Sequence, residues 1–172
     1  MSAFASSYIP TGATAVTRNA DILTYPTTGW LNASAGTMYA EWQRVTTSGT
    51  GIITSLNDET LDNRVMEFVN STVVSYRVTA AAAAQVSANG ANAVAANTAY
   101  TLATAWATND FASYLNGTLD VTDATVTIPA GMTRLEIGCE QAGSTQPLFG
   151  PIRRVSYYAA RLANATLQGL TA

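Results

Sequence analysis

The chain has no lysine and no histidine, so all eight of its basic residues are arginine. These absences remove Schiff-base catalysis and the Ser-His-Asp and Cys-His arrangements, each of which needs an amine or an imidazole. Charge of either sign is scarce: 11% of residues are charged and the net charge is -3. A chain this poor in cations cannot neutralise a run of phosphates, so nucleic acid is not an expected partner. The single cysteine, Cys139, excludes an intrachain disulfide. Without a histidine to activate it, Cys139 reads as a small packed side chain rather than a nucleophile. No stretch approaches the roughly 18 apolar residues of a membrane helix, and no membrane association is expected. Nor does a charged segment followed by an apolar run open the chain, so no signal peptide is expected. Missing lysine has a further consequence: sheet edges that lysine often guards must be covered here by bulges, loops, proline or a neighbouring protein.

The length of 172 residues suits one soluble domain, 1–172. Its dominant pattern has period two. In "TMYAEWQRV" (37–45), Met38, Ala40 and Trp42 share one face, and Tyr39, Glu41 and Gln43 the other. "RVMEFV" (64–69), "TVVSYRV" (72–78), "AYTLATAW" (99–106), "DFASYLNG" (110–117) and "TRLEIG" (133–138) alternate in the same way. The last is expected to bury Leu135 and Ile137 and to turn Arg134 and Glu136 outward. Turn residues separate the runs, including "TSGTG" (47–51), "NDET" (57–60), Asn89-Gly90, Asn116-Gly117, "PAG" (129–131) and "AGSTQP" (142–147). Asn116-Gly117 between two β-rich runs is a strong hairpin signal. The expected fold class is all-β, an antiparallel sandwich of two sheets. The alanine-rich segment 79–99 favours helix by propensity, but it has no amphipathic stripe, and it reads as a hairpin of small-side-chain strands.

One stretch breaks the rhythm. In "LFGPIRRVSYYAARLANATLQGL" (148–170), Ile152 and Val155 are apolar yet three residues apart. An extra residue at Arg153-Arg154, a β-bulge, would return both to the core. After it, Asn164 is a candidate helix N-cap, with Leu167 and Leu170 on one face of a short helical turn.

These residues resemble the concanavalin A-like lectin/glucanase superfamily, in the laminin-G-like form found in phage virion proteins. The resemblance lies in "SSYIPTGATAVTRNADIL" (6–23), "GTMYAEW" (36–42), "ATNDFASYLNGTL" (107–119), "LEIGCEQ" (135–141) and the 148–170 stretch. It implies a jelly roll of two curved sheets, whose members bind glycans, hydrolyse them or serve as structural modules; the site must decide which. The glucanase branch carries acidic residues at alternating positions of one strand. Here Glu41, Glu67 and Glu136 occur singly on three strands, either meeting on one face or pairing with Arg44, Arg77, Arg134 and Arg153. No enzymatic activity is expected. Calcium, held by some relatives, would need converging oxygens. The candidate segments "TND" (108–110), "NGTLDVTD" (116–123) and "NDETLD" (57–62) read equally as turns, and no cofactor or metal is expected. The sequons at Asn32, Asn70, Asn116 and Asn164 would matter only in a secreted eukaryotic protein.

Two functions fit this pattern. The first is a structural protein of the phage virion, a capsid decoration or head-fibre subunit on the particle surface, docking on capsid or tail proteins as a homo-oligomer. The second is a lectin-like adhesion module of a tail fibre that binds a host-surface glycan. Candidate glycan-binding residues are Trp30, in a Gly/Thr-rich loop, and Tyr39, Tyr114 and Asn116, which alternation directs away from the main core.

Overall fold

The computed structural model describes residues 23–140 and 146–172. The opening segment 6–22 of the resemblance and most of the 142–147 turn therefore lie outside the described residues. The elements run β1 (Leu23–Pro26), β2 (Ala35–Gln43), β3 (Thr50–Asn57), β4 (Arg64–Asn70), β5 (Val73–Ala80), β6 (Ala83–Ala93), β7 (Ala99–Ala107), β8 (Asp110–Leu115), β9 (Thr118–Asp123), β10 (Arg134–Ile137), β11 (Ile152–Tyr158) and α1 (Asn164–Thr171). The strands form a six-stranded sheet ordered β1-β10-β3-β4-β5-β6 and a five-stranded sheet ordered β11-β2-β7-β8-β9. Every pairing between them is antiparallel. The expected all-β, two-sheet architecture is the one that forms.

Alternation selects the core. Met38, Ala40 and Trp42 of β2 meet Leu102 and Trp106 of β7, Phe111 and Leu115 of β8, and the inward residues of the opposite sheet, such as Val74, Tyr76 and Val78. Trp42 stacks on Tyr100 with ring centroids 5.1 Å apart. The other face of the five-stranded sheet carries a smaller cluster, where Leu167 of α1 covers Tyr39, Ala103, Ala105 and Ala112. Small residues on β7 and β8 let the helix lie close to the sheet. Asn164 is the first helical residue rather than the cap; Ala163 stands at the N-cap, where its methyl group can accept no hydrogen bond from the first-turn N–H groups.

The alanine-rich segment is a hairpin, but its turn is not at Asn89-Gly90. Ala81 and Ala82 make the turn, with φ of +49° and +64°. Asn89 and Gly90 continue β6. Gly90 is needed for a close approach, because a Cβ there would fall within the carboxylate of Asp120. Left-handed backbone costs an L-residue about 1–2 kcal/mol. The double substitution Ala81→Asn with Ala82→Gly is therefore expected to raise stability by about 1–2 kcal/mol, read from urea midpoints at unchanged m-value.

Two edges of the sandwich differ. Along β6 and β9 the seam is latched: Tyr76 Oη donates to Asp120 Oδ2 at 2.6 Å, and Asp120 Oδ1 accepts from Asn92 N and Nδ2, both at 2.8 Å. Along β1, β10 and β11 it opens into a groove.

Candidate functional site

The groove follows from the kink at the start of β11. Ile152 pairs with Trp42 and Arg154 with Glu41, so Arg153 is the extra residue of a bulge. The insertion returns both Ile152 and Val155 to the core side, where they pack against the main cluster. The edge strand β11 then faces β1 and β10 across a groove of about 480 Å³. Aliphatic residues such as Ile137 and Ile152 line its floor, and Tyr25, Trp30 and Tyr157 supply aromatic rings. Tyr25 is 49% exposed, well above what a packed aromatic in a core shows.

The rings are held in place. Trp30 follows a turn in which Gly29 has φ +88°. Its Nε1 donates to Pro26 O at 2.6 Å. Thr27 anchors the same loop by donating from Oγ1 to Met132 O at 2.8 Å. Trp30 meets Tyr157 edge-on at 5.0 Å. Tyr157 Oη accepts from Asn32 N at 3.1 Å, and burial raises its pKa. Gly36 makes room behind this pair, since a Cβ there would lie 2.6 Å from Trp106 Cζ2 and 2.8 Å from Tyr157 Cε2. Beside the groove, across Arg153, lies a depression of about 140 Å³ that Glu41, Tyr100, Thr101 and Asn116 help to line.

The four residues singled out from the sequence fall in three places. Trp30 lies in the groove. Tyr39 is 7% exposed, and Tyr114 packs against the same cluster beneath α1, so neither offers an open ring face. Tyr39 Oη donates to Glu41 Oε1 at 3.0 Å, and burial followed by that carboxylate raises its pKa. Asn116 borders the small depression, but its Oδ1 already accepts from Thr101 N at 2.8 Å and Thr101 Oγ1 at 3.0 Å. Sequence reasoning missed Tyr25 and Tyr157 as partners of Trp30, because the groove joins three segments far apart in the chain.

Glu41, Glu67 and Glu136 do not meet on one face; Glu136 instead shares a buried network with Glu140, joined through Asn57 Nδ2 and Ser55 Oγ, with Arg64 Nη1 donating to Glu140 Oε2 at 2.9 Å. Glu41 sits on the outer face of β2, 4.0 Å from Arg154. Glu67 is buried between the sheets, and Thr54 Oγ1 donates to its Oε2. Burial pushes the Glu67 carboxyl up to about 7, against the opposing pull of the Thr54 and Thr104 hydroxyls. Glu136 faces away from the core as expected but is fully buried, held by Asn57 Nδ2 at 2.8 Å and Arg134 Nη2 at 3.1 Å. Of the arginine partners expected for these carboxylates, Arg134 alone takes that part among the described residues. Arg44 instead donates to Ser48 O and Gly49 O, closing its own turn. The loop oxygens are spent locally too: Asp58 Oδ1 accepts from Thr60 N and Oγ1, and Asp123 Oδ1 from Thr125 N and Oγ1. Among the described residues, no three of His, Cys, Asp and Glu gather as a metal set.

The groove can therefore hold a ligand with one flat apolar face and a polar rim. Among the described residues it does not present the facing pair of carboxylates that glycoside hydrolysis uses.

No protein-family model and no curated protein matches the sequence. Solved structures do resemble the fold. The CBM40 of the Ruminococcus gnavus IT-sialidase, bound to α2,3-sialyllactose, superposes with a TM-score of 0.70 at 15% identity, over 81% of this chain and 84% of that one. Domains LG4-5 of the mouse laminin α1 chain give 0.63 at 10% identity, over 86% of this chain and 41% of that one. The carbohydrate-binding module CBM66 from Bacillus subtilis gives 0.52 at 19% identity, over 72% of this chain and 74% of that one. At such identities the likeness establishes the fold, a concanavalin A/laminin-G-like jelly roll.

Proposed function

We propose that this domain is a non-catalytic recognition module that binds a glycan in the groove between β1, β10 and β11. The observation that carries this reading is the trio Tyr25, Trp30 and Tyr157 gathered in one groove, Tyr25 exposed and the other two half-buried. Sugar rings present an apolar C–H face to aromatic rings and hydroxyls to the rim, which is the pairing this groove offers. The sialyllactose complex and the carbohydrate-binding modules among the similar folds support the same reading. Among the described residues no carboxylate lines the groove, which supports a binding rather than a hydrolytic role there.

The test is a glycan array followed by titration of the best ligand. Tyr25→Ala and Trp30→Ala are each expected to weaken binding about 10-fold or more, the worth of one stacked ring in a desolvated contact. Tyr114→Ala, beneath α1, is expected to leave affinity unchanged. An array without signal, or a Tyr25→Ala protein that binds like the parent, would overturn the reading.

A second reading is favoured by β6. This strand closes one edge of the six-stranded sheet, and its exposed positions are Ala83, Ala84, Ser87, Asn89, Ala91 and Ala93. Its pairing with β5 is interrupted by two register shifts, but its small outward side chains, with no lysine or proline, leave room for another protein to approach closely. This edge suits a virion surface subunit, a capsid decoration or head fibre docking on a phage lattice as a homo-oligomer. Glycan binding and virion docking use opposite seams and are compatible. Co-sedimentation with purified shells, lost on replacing Ala84 and Ala91 with lysine, would support this second role; its absence would remove it.

A further inference from the structure

The groove is apolar within, but its β11 rim carries a cation whose position the bulge determines. Arg153 has no ladder partner in β2, because Ile152 and Arg154 take the flanking positions. It borders both the 480 Å³ groove and the 140 Å³ depression. Its side chain is exposed, and among the described residues no hydrogen bond, ion pair or ring contact engages its guanidinium. The neighbouring arginine differs: Arg154 Nε donates to Ser156 Oγ at 3.1 Å, its Nη1 lies 4.0 Å from Glu41, and its Cζ lies 5.6 Å from the Tyr39 ring centroid. Among the described residues Glu41 is the one carboxylate lining either hollow, and it already holds the Tyr39 hydroxyl and Arg154.

A guanidinium free of partners at the lip of an aromatic groove calls for an anion on the ligand. We infer that the glycan of this groove bears a carboxylate, which Arg153 receives through its planar fork while the sugar ring lies on Tyr25 and Trp30. This rests on the glycan reading above and names the class: sialic or uronic acid-bearing glycans. The fork of arginine matches the two oxygens of a carboxylate in one plane. Arg154 also lines the groove, but Ser156 and Glu41 engage it, so among the described residues there the one unengaged guanidinium fits one negative charge. Densely sulfated chains would need several, and the chain as a whole is already negative.

The experiment is an array carrying sialylated, uronic acid-bearing, sulfated and neutral glycans side by side, followed by calorimetry on the strongest ligand and its methyl ester. Acidic glycans with a free carboxylate are expected to bind about 10- to 100-fold more tightly than their neutral counterparts, the usual worth of a charge-assisted hydrogen-bonded pair. Esterification should remove that gain. Arg153→Gln should remove it as well, leaving acid and ester equal and the melting temperature unchanged. Tyr25→Ala should weaken acid and ester alike. Neutral or sulfated glycans bound as tightly as carboxylated ones would overturn this inference while the glycan reading stands. So would an Arg153→Gln protein that keeps its preference for the acid. Silence across the whole array would overturn both.

Discussion

Replacing Glu67 with glutamine is expected to stabilise the protein above pH 7 and to flatten its stability profile between pH 5 and 8. Glu67 lies among Val65, Val69 and the facing sheet, and burial raises its carboxyl from an ordinary 4.5 to about 7. The folded state therefore holds a proton that the unfolded chain releases near 4.5. Between those two values the unfolded state binds fewer protons, so stability falls as pH rises. The contribution is fully present below about 4.5 and is gone above about 7. The span corresponds to about 3 kcal/mol. Glutamine keeps the shape and cannot ionise. Near pH 5 the two proteins should differ by no more than about 1 kcal/mol, the scale of one altered hydrogen bond. At pH 8 the Gln protein should be ahead by about 2–3 kcal/mol, or roughly 5–10 °C in melting temperature for a chain of this size. The check is the difference between the two proteins in urea unfolding across pH, which cancels every other titrating group. A difference that does not change with pH would show that Glu67 is not the proton holder.

The second large effect is expected at Gly150, two residues before β11. A Cβ there would run into the backbone carbonyl of Gln43 and lie 2.9 Å from Arg44 Cα. Main-chain hydrogen bonds pin both sides: Gln43 N donates to Pro151 O at 2.9 Å and Val45 N to Phe149 O at 3.0 Å. The obstacle is backbone, so no side chain can swing aside. Gly150→Ala should cost about 3 kcal/mol, the top of the overpacking range, and lower the melting temperature by roughly 6–12 °C. Gly169→Ala is the control. Nothing lies within 4 Å of that position in α1. Relief of glycine's backbone entropy there should be neutral or stabilise by about 0.5–1 kcal/mol. Equal melting temperatures for the Gly150→Ala and parent proteins would contradict the packing described at the β2–β11 junction.

Much of the fold was legible because alternation and turn chemistry are local. The faces of β2, β5, β7, β8 and β10 follow from spacing alone. So does the bulge, because Ile152 and Val155 cannot share a face without an added residue. What escaped depends on partners distant in sequence. Glu67 and Glu41 alternate in the same manner, yet one is enclosed between sheets and the other faces outward; which side of β4 is inside was not written in β4. Glu136 points outward as read, but that side is covered at its position. Asn89-Gly90 has the chemistry of a turn, while the glycine serves the approach of Asp120 from another sheet. For the groove, Trp30 was visible as a loop aromatic. Tyr25 and Tyr157 joined it only once β1 and β11 were placed on facing edges. The bulge was the signal that could have found Arg153, since an inserted residue must point somewhere the ladder does not use.

That insertion also separates two kinds of inheritance. Ile152 and Val155 answer to the interior, whereas position 153 answers to neither the ladder nor the core. A lineage carrying this scaffold can exchange the side chain there, cationic for neutral or aromatic, and change what it recognises without renegotiating its stability.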